Sequence, residues 1–121
     1  MIRKIKFTSI PVRDQDRALT FYVQTLGFIL VTDQPMGPGQ RWIELRPPKG
    51  DAGLALFTPQ GHEDRIGTFT GISMECDDVQ KTYEELRARG VEFVKPPKSE
   101  SWGTSAILQD SEGNQIVLSS S

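Results

Sequence analysis

The sequence predicts an α+β fold built from two βαβββ modules that form a cupped, partly closed mixed sheet. Three observations carry that prediction. First, the chain repeats itself: Ile10-Pro11-Val12-Arg13-Asp14 leads into a helical pattern ending at Leu26-Gly27-Phe28, and Met74-Glu75-Cys76-Asp77-Asp78 leads into one ending at Arg89-Gly90-Val91. Val12 to Cys76 and Asp14 to Asp78 are both 64 residues apart, and Gly27 to Gly90 is 63. Second, the apolar period changes within each repeat from two to about 3.6 residues. Third, Pro- and Gly-rich breaks divide the remainder of each repeat into three short extended segments. The modules are expected to cover about residues 1–60 and 61–121 of a single domain, joined by Thr58-Pro59-Gln60-Gly61-His62-Glu63-Asp64.

Each module opens with a strand. Residues 4–12 are rich in β-branched and aromatic side chains, and residues 68–76 alternate apolar with polar. A helix follows. Asp14 is placed to cap the first, Ala18, Phe21, Tyr22 and Leu26 make its apolar stripe, and Gly27 suits its left-handed end. In the second, Asp77 or Asp78 caps, Val79, Thr82, Tyr83 and Leu86 form the stripe, and Gly90 stops it. The later strands are predicted at 28–32, 41–46 and 54–58, then at 91–95, 104–109 and 115–119. Pro96-Pro97 is expected to end a strand, and Asp110-Ser111-Glu112-Gly113-Asn114 to form a turn.

Composition narrows the partners. With 14 basic and 16 acidic residues interleaved along the chain, the net charge is -2. There is no basic footprint for nucleic acid and no Lys/Arg run for an anionic membrane. Cys76 is the only cysteine, which excludes a disulfide framework. Neither a signal peptide nor an apolar stretch long enough to span a bilayer is apparent, so the expected location is cytoplasmic.

The twin modules, Ile10-x-Val12-x-Asp14 running into Ala18-x-x-Phe21-Tyr22-x-x-x-Leu26-Gly27-Phe28, and the late Asp110-x-x-Gly113-Asn114 together resemble the vicinal oxygen chelate superfamily. That group includes glyoxalase I, extradiol dioxygenases and bleomycin-binding proteins. The resemblance covers essentially the whole chain. It implies helices on the outer face of the sheet and a ligand on the concave face. It also implies a divalent metal held from four strand positions, which here fall at Phe7, Leu56, Gly71 and Val117. None of these side chains can ligate, and His62 is the only histidine, so the expectation is no metal and no cofactor. Metal-dependent glyoxalase or extradiol dioxygenase chemistry is accordingly not expected.

Strand alternation then sorts the concave face. Phe7, Ser9, Trp42, Glu44, Ser73, Glu75, Gln115 and Val117 are expected to line it, with Gln109 and Trp102 nearby, and the resemblance adds Leu56 on the last strand of the first module. Glu44 and Glu75 are the candidates for proton transfer. Each has a plainer reading: Glu75 solvated or paired with an arginine, Glu44 paired on the surface with Arg41 or Arg46. Trp42 and Trp102 could equally serve packing or a dimer contact, His62 a solvated linker, and Cys76 the core under a helix. The functional expectation is a protein that binds a small organic molecule in the cavity. The alternative is a lyase-, isomerase- or oxygenase-type enzyme with a carboxylate base or a relocated metal. Open sheet edges and the behaviour of the family point to a homodimer.

Overall fold

The computed structural model describes residues 1–120 and divides into two compact units, one from Met1 to Ile66 and the other from Gly67 onward. In the first unit, β1 (Phe7–Pro11) leads to α1 (Gln15–Thr20), then β2 (Ile29–Pro35), β3 (Arg41–Arg46) and β4 (Gly53–Phe57). The second repeats the pattern with β5 (Phe69–Glu75), α2 (Val79–Ala88), β6 (Phe93–Glu100), β7 (Gly103–Gln109) and β8 (Gln115–Ser119). The sheets have the same topology, β1-β4-β3-β2 and β5-β8-β7-β6. In each, the first strand pairs parallel with the last and the other pairs are antiparallel.

The repeat in the sequence is thus a repeat in topology, and its caps are made as expected. The Asp14 carboxylate accepts from the Arg17 amide at 3.0 Å, and the Asp78 carboxylate from the Lys81 amide at 3.0 Å. Gly27 and Gly90 have φ of 86° and 89°, the left-handed turn that lets the chain leave each helix without a Cβ clash.

Each helix covers one face of its own sheet. In the first unit Ile10, Val12, Ala18, Tyr22, Ile43, Leu45, Leu54 and Leu56 are buried, with Tyr22 set edge-on to both Phe21 and Phe28. In the second, Val79, Leu86, Val91, Ala106, Leu108, Ile116 and Leu118 are buried, and Tyr83 on α2 meets Phe93 on β6 with ring centroids 4.7 Å apart. Each fully buried aliphatic side chain is worth about 1.5–3 kcal/mol of transfer free energy, so these faces supply the drive for folding. No helix among the described residues is long and apolar enough to cross a membrane.

Three details differ from the sequence expectation. The first helix continues beyond Thr20 as a wider π-type turn, Phe21–Thr25, closed by Leu26 N–H donating to Phe21 O at 3.1 Å. Strand β6 runs through Pro96 and Pro97 instead of ending there. It is an edge strand, so the missing proline N–H groups interrupt no ladder on its outer side, and its pairing with β7 shifts register between Lys95 and Lys98. The expected linker belongs to the first unit and holds a 3-10 turn, Glu63–Arg65.

The Asp110–Asn114 motif is a structural knot. Asn114 is fully buried, its Nδ2 donates to Asp110 Oδ2 at 2.9 Å, and its Oδ1 accepts from the Gly67 amide at 2.7 Å. Asp110 Oδ1 accepts from the Glu112 and Asn114 amides at 2.8 and 2.9 Å. The motif fastens the β7–β8 turn to the segment entering β5.

Candidate functional site

With a helix on one face of each sheet, the other face is left for function, and register assigns its residues. Directly paired residues share a face. Glu44 pairs with Ala55, and Ala55 with Ser9, so these three lie together on the face opposite α1. Trp42 and Phe7 stand two residues along their strands and join them, with ring centroids 5.0 Å apart and planes inclined at 70°. Thr32 on β2 lies opposite Glu44.

Leu56 does not belong to this set. It pairs with Ile43 and Ile10 on the helix-covered face and is fully buried. The sequence expectation for Leu56 is therefore off by one residue, which in a strand inverts the face. Ala55 occupies the open-face position instead. Gly53 is the next β4 residue on that face: a Cβ there would lie 3.1 Å from Phe7 Cβ and 3.5 Å from Glu44 Oε2. A side chain at Gly53 would crowd Phe7 and leave less room for the Glu44 carboxylate.

Glu44 has neither of the arginine partners that the sequence offers. Arg41 shares the helix-side face with Ile43 and Leu45, where its guanidinium bonds Asp33 through Nε at 3.1 Å and Nη2 at 2.7 Å and also binds Asp16. Asp33 is held below the usual carboxylate range, first by the hydrogen bond from Arg41, while Arg41 is held still more firmly as a cation by Asp33 and Asp16. Arg46 turns its Nη1 to Pro47 O at 3.3 Å. Beside Arg41, an open depression of about 640 Å³ is lined by Asp14, Gln15, Asp16 and Gln40 among others. Gln15 is buried there, its Nε2 donating to Arg41 O at 2.8 Å and Leu56 O at 3.0 Å. Sequence reasoning missed this cluster. Its only local signal was Asp16 in the first turn of the helix, since the chain separations are 25 and 26 residues.

In the second unit, Ser73 pairs with Val117 and Val117 with Ile107, while Glu75 pairs with Ser119 and Ser119 with Ser105. Gln115 and Gln109 form the adjacent row. The Ser73 and Ser119 hydroxyls hydrogen-bond at 2.8 Å, and Met74, Leu118 and Ala106 fill the other face. Ser73, Glu75, Gln109, Gln115 and Val117 thus share one open face as the alternation predicts. Glu75 is exposed and makes no ion pair among the described residues. Trp102 lies in the two-residue turn between β6 and β7, 66% exposed.

The four positions that the resemblance associates with a metal were tested for donor atoms. Phe7, Gly71 and Val117 offer no side-chain nitrogen, oxygen or sulfur, and neither Ala55 nor Leu56 does on β4. A metal does not fit these positions. Among the described residues no three His, Cys, Asp or Glu side chains gather into a ligand set. His62 sits at a surface turn, where the neighbouring Glu63 carboxylate is held below its usual range by the Gly61 amide at 2.8 Å. Burial pushes the Cys76 thiol up, against a hydrogen bond with Thr82 of α2, as expected of a packing residue.

Comparison with known proteins agrees with this architecture. The chain is 32% identical to the Bacillus subtilis protein YetH over 118 residues, covering 98% of each. A crystal structure of a superfamily member from Sphaerobacter thermophilus superposes with a TM-score of 0.89 at 37% identity, covering 99% of this chain and 98% of that one. TnmS3, an antibiotic binding protein from a Streptomyces species, superposes with a TM-score of 0.84 at 36% identity, covering 98% and 96%. Residues 4–118 match the family model of the Glyoxalase/Bleomycin resistance protein/Dioxygenase superfamily, and the chain belongs to that superfamily.

Proposed function

We propose that this protein binds a small organic molecule against the helix-free face of its sheets, without a metal at the positions that the superfamily resemblance singles out. The observation that carries this reading is the Phe7–Trp42 edge-to-face pair standing beside Glu44 on the open face of the first sheet. Aromatic walls with a few polar handles are the usual make-up of a small-molecule site. The open face of the second unit, taken by itself, carries the polar groups Ser73, Glu75, Gln109 and Gln115. The likeness to an antibiotic binding protein supports the same reading.

The test is a thermal-shift screen of aromatic natural products, with hits re-measured on Trp42→Ala. Binding of a hit by the native chain and its loss in Trp42→Ala support the reading. A hit bound equally well by Trp42→Ala refutes the assigned face. Self-association belongs to the same proposal: β2 is an edge strand with Ile29, Leu30 and Val31 exposed, an edge that a second copy could cover. Sedimentation should give twice the 13.5 kDa chain mass, and a chain mass alone would refute a dimer.

A further inference from the structure

We infer that the molecule taken on the open face of the first sheet carries a positive charge beside an aromatic ring. This inference rests on the small-molecule reading above and specifies its chemistry. Glu44 extends its carboxylate over Gly53, within 3.5 Å of where a Cβ would sit, and forms no ion pair among the described residues. The two arginines of β3 are otherwise engaged. Arg41 lies on the opposite face with Asp33 and Asp16, and Arg46 donates to Pro47 O. Among the described residues the open face therefore presents a carboxylate held in no ion pair, with Arg46 two residues further along β3 on the same face.

The neighbours of that carboxylate select among cations. Phe7 and Trp42 meet edge to face, so the ring that contributes its edge has neither of its own faces covered by the other ring. An ammonium set over an aromatic face is attracted by the ring quadrupole, most strongly by indole. The same ammonium within hydrogen-bond distance of Glu44 would make a charge-assisted bond. Thr32, directly opposite Glu44, and Ser9, in the same row, add neutral hydroxyls, and the Arg46 guanidinium is turned to Pro47 O. An anionic ligand would have to sit beside an uncompensated carboxylate, and a neutral one would gain only the aromatic contact. A cation beside a ring would meet the Glu44 carboxylate and the aromatic pair together.

The experiment is a calorimetric titration of the full chain with three probes that share one ring system: naphthylmethylammonium, naphthylmethanol and naphthoate. The cation should bind about tenfold more tightly than the alcohol, equivalent to about 1.4 kcal/mol, with naphthoate weakest. In Glu44→Gln the cation and the alcohol should bind within about twofold of each other, the alcohol being unchanged from the native chain. Glu84→Gln, an exposed acid on α2, should keep the full preference and serves as the charge control. Thermal melts of each variant establish that it is folded. Equal binding of cation and alcohol by the native chain overturns the inference and leaves the small-molecule reading intact. A cation preference that survives Glu44→Gln overturns the role of Glu44. Failure of all three probes to bind overturns the inference together with the assignment of this face.

Discussion

Replacing Asn114 by alanine removes, from a site fully closed to solvent, the 2.7 Å bond from the Gly67 amide and the 2.9 Å bond to Asp110 Oδ2. The first is an ordinary amide bond, worth about 0.5–1.5 kcal/mol net, and the second reaches a charged group, worth about 1.5–3 kcal/mol. The expected loss is therefore about 2–4 kcal/mol. For a chain of this length, 1 kcal/mol corresponds to about 4 °C of melting temperature, giving a drop of about 8–16 °C. Asn114→Asp sharpens the test, because it nearly preserves shape but sets a second carboxylate against Asp110. Like charges in so close a contact raise the pKa of the pair in the folded state above that of the unfolded chain. The penalty is present at neutral pH and is relieved as the pH falls through the raised value, so acidification should recover part of the stability. Calorimetric melts across a pH series measure both effects. A loss under about 1 kcal/mol for Asn114→Ala, or an Asn114→Asp deficit that does not change with pH, would refute the role given to this motif.

Other outcomes follow from the same geometry. Gln15→Leu should lower stability by about 2–4 kcal/mol in a denaturant titration, since it strips the Arg41 and Leu56 carbonyls of a buried donor. Asp33 has its pKa lowered in the fold, so its pairing stabilises above the unfolded carboxylate value and is lost as pH falls through the lower, folded one. Asp33→Asn should accordingly flatten the acid limb of the stability profile and cost about 1 kcal/mol at neutral pH, the pair being partly exposed. Leu56→Ala should cost about 2–5 kcal/mol as a core cavity, whereas Ser73→Ala on the open face should stay within about 0.5 kcal/mol. Equal effects of those two variants in urea melts would contradict the face assignment.

The sequence was most readable where one strand face is wet and the other dry. Residues 41–46 and 115–119 alternate so clearly that their observed bounds, Arg41–Arg46 and Gln115–Ser119, coincide with the expectation. Strand β4 is different: Gly53, Leu54, Ala55 and Leu56 are all buried, so no alternation shows which face Leu56 takes. Only pairing with Ile43 settles it. Pro96 and Pro97 looked like a break because sequence does not reveal whether a strand lies at an edge. The Arg41 cluster and the isolation of Glu44 were hidden for a related reason. Arg41 and Glu44 are three residues apart in the chain yet point to opposite faces, and the partners of Arg41 come from α1 and β2. The open-face positions of Ser9, Trp42, Glu44, Ser73 and Val117 needed only a two-residue period and a strand start, and both were legible.

The most direct test of the central claim is a two-dimensional NMR titration of the labelled chain with the tightest aromatic probe, following the Trp42 indole N–H and the backbone amides of β1 and β3. The Trp42 indole and the amides around Phe7 and Glu44 should shift together along one saturable curve, while the amides of α1 on the opposite face stay in place. Shifts confined to α1 and the Arg41 depression, with Trp42 silent, would contradict it.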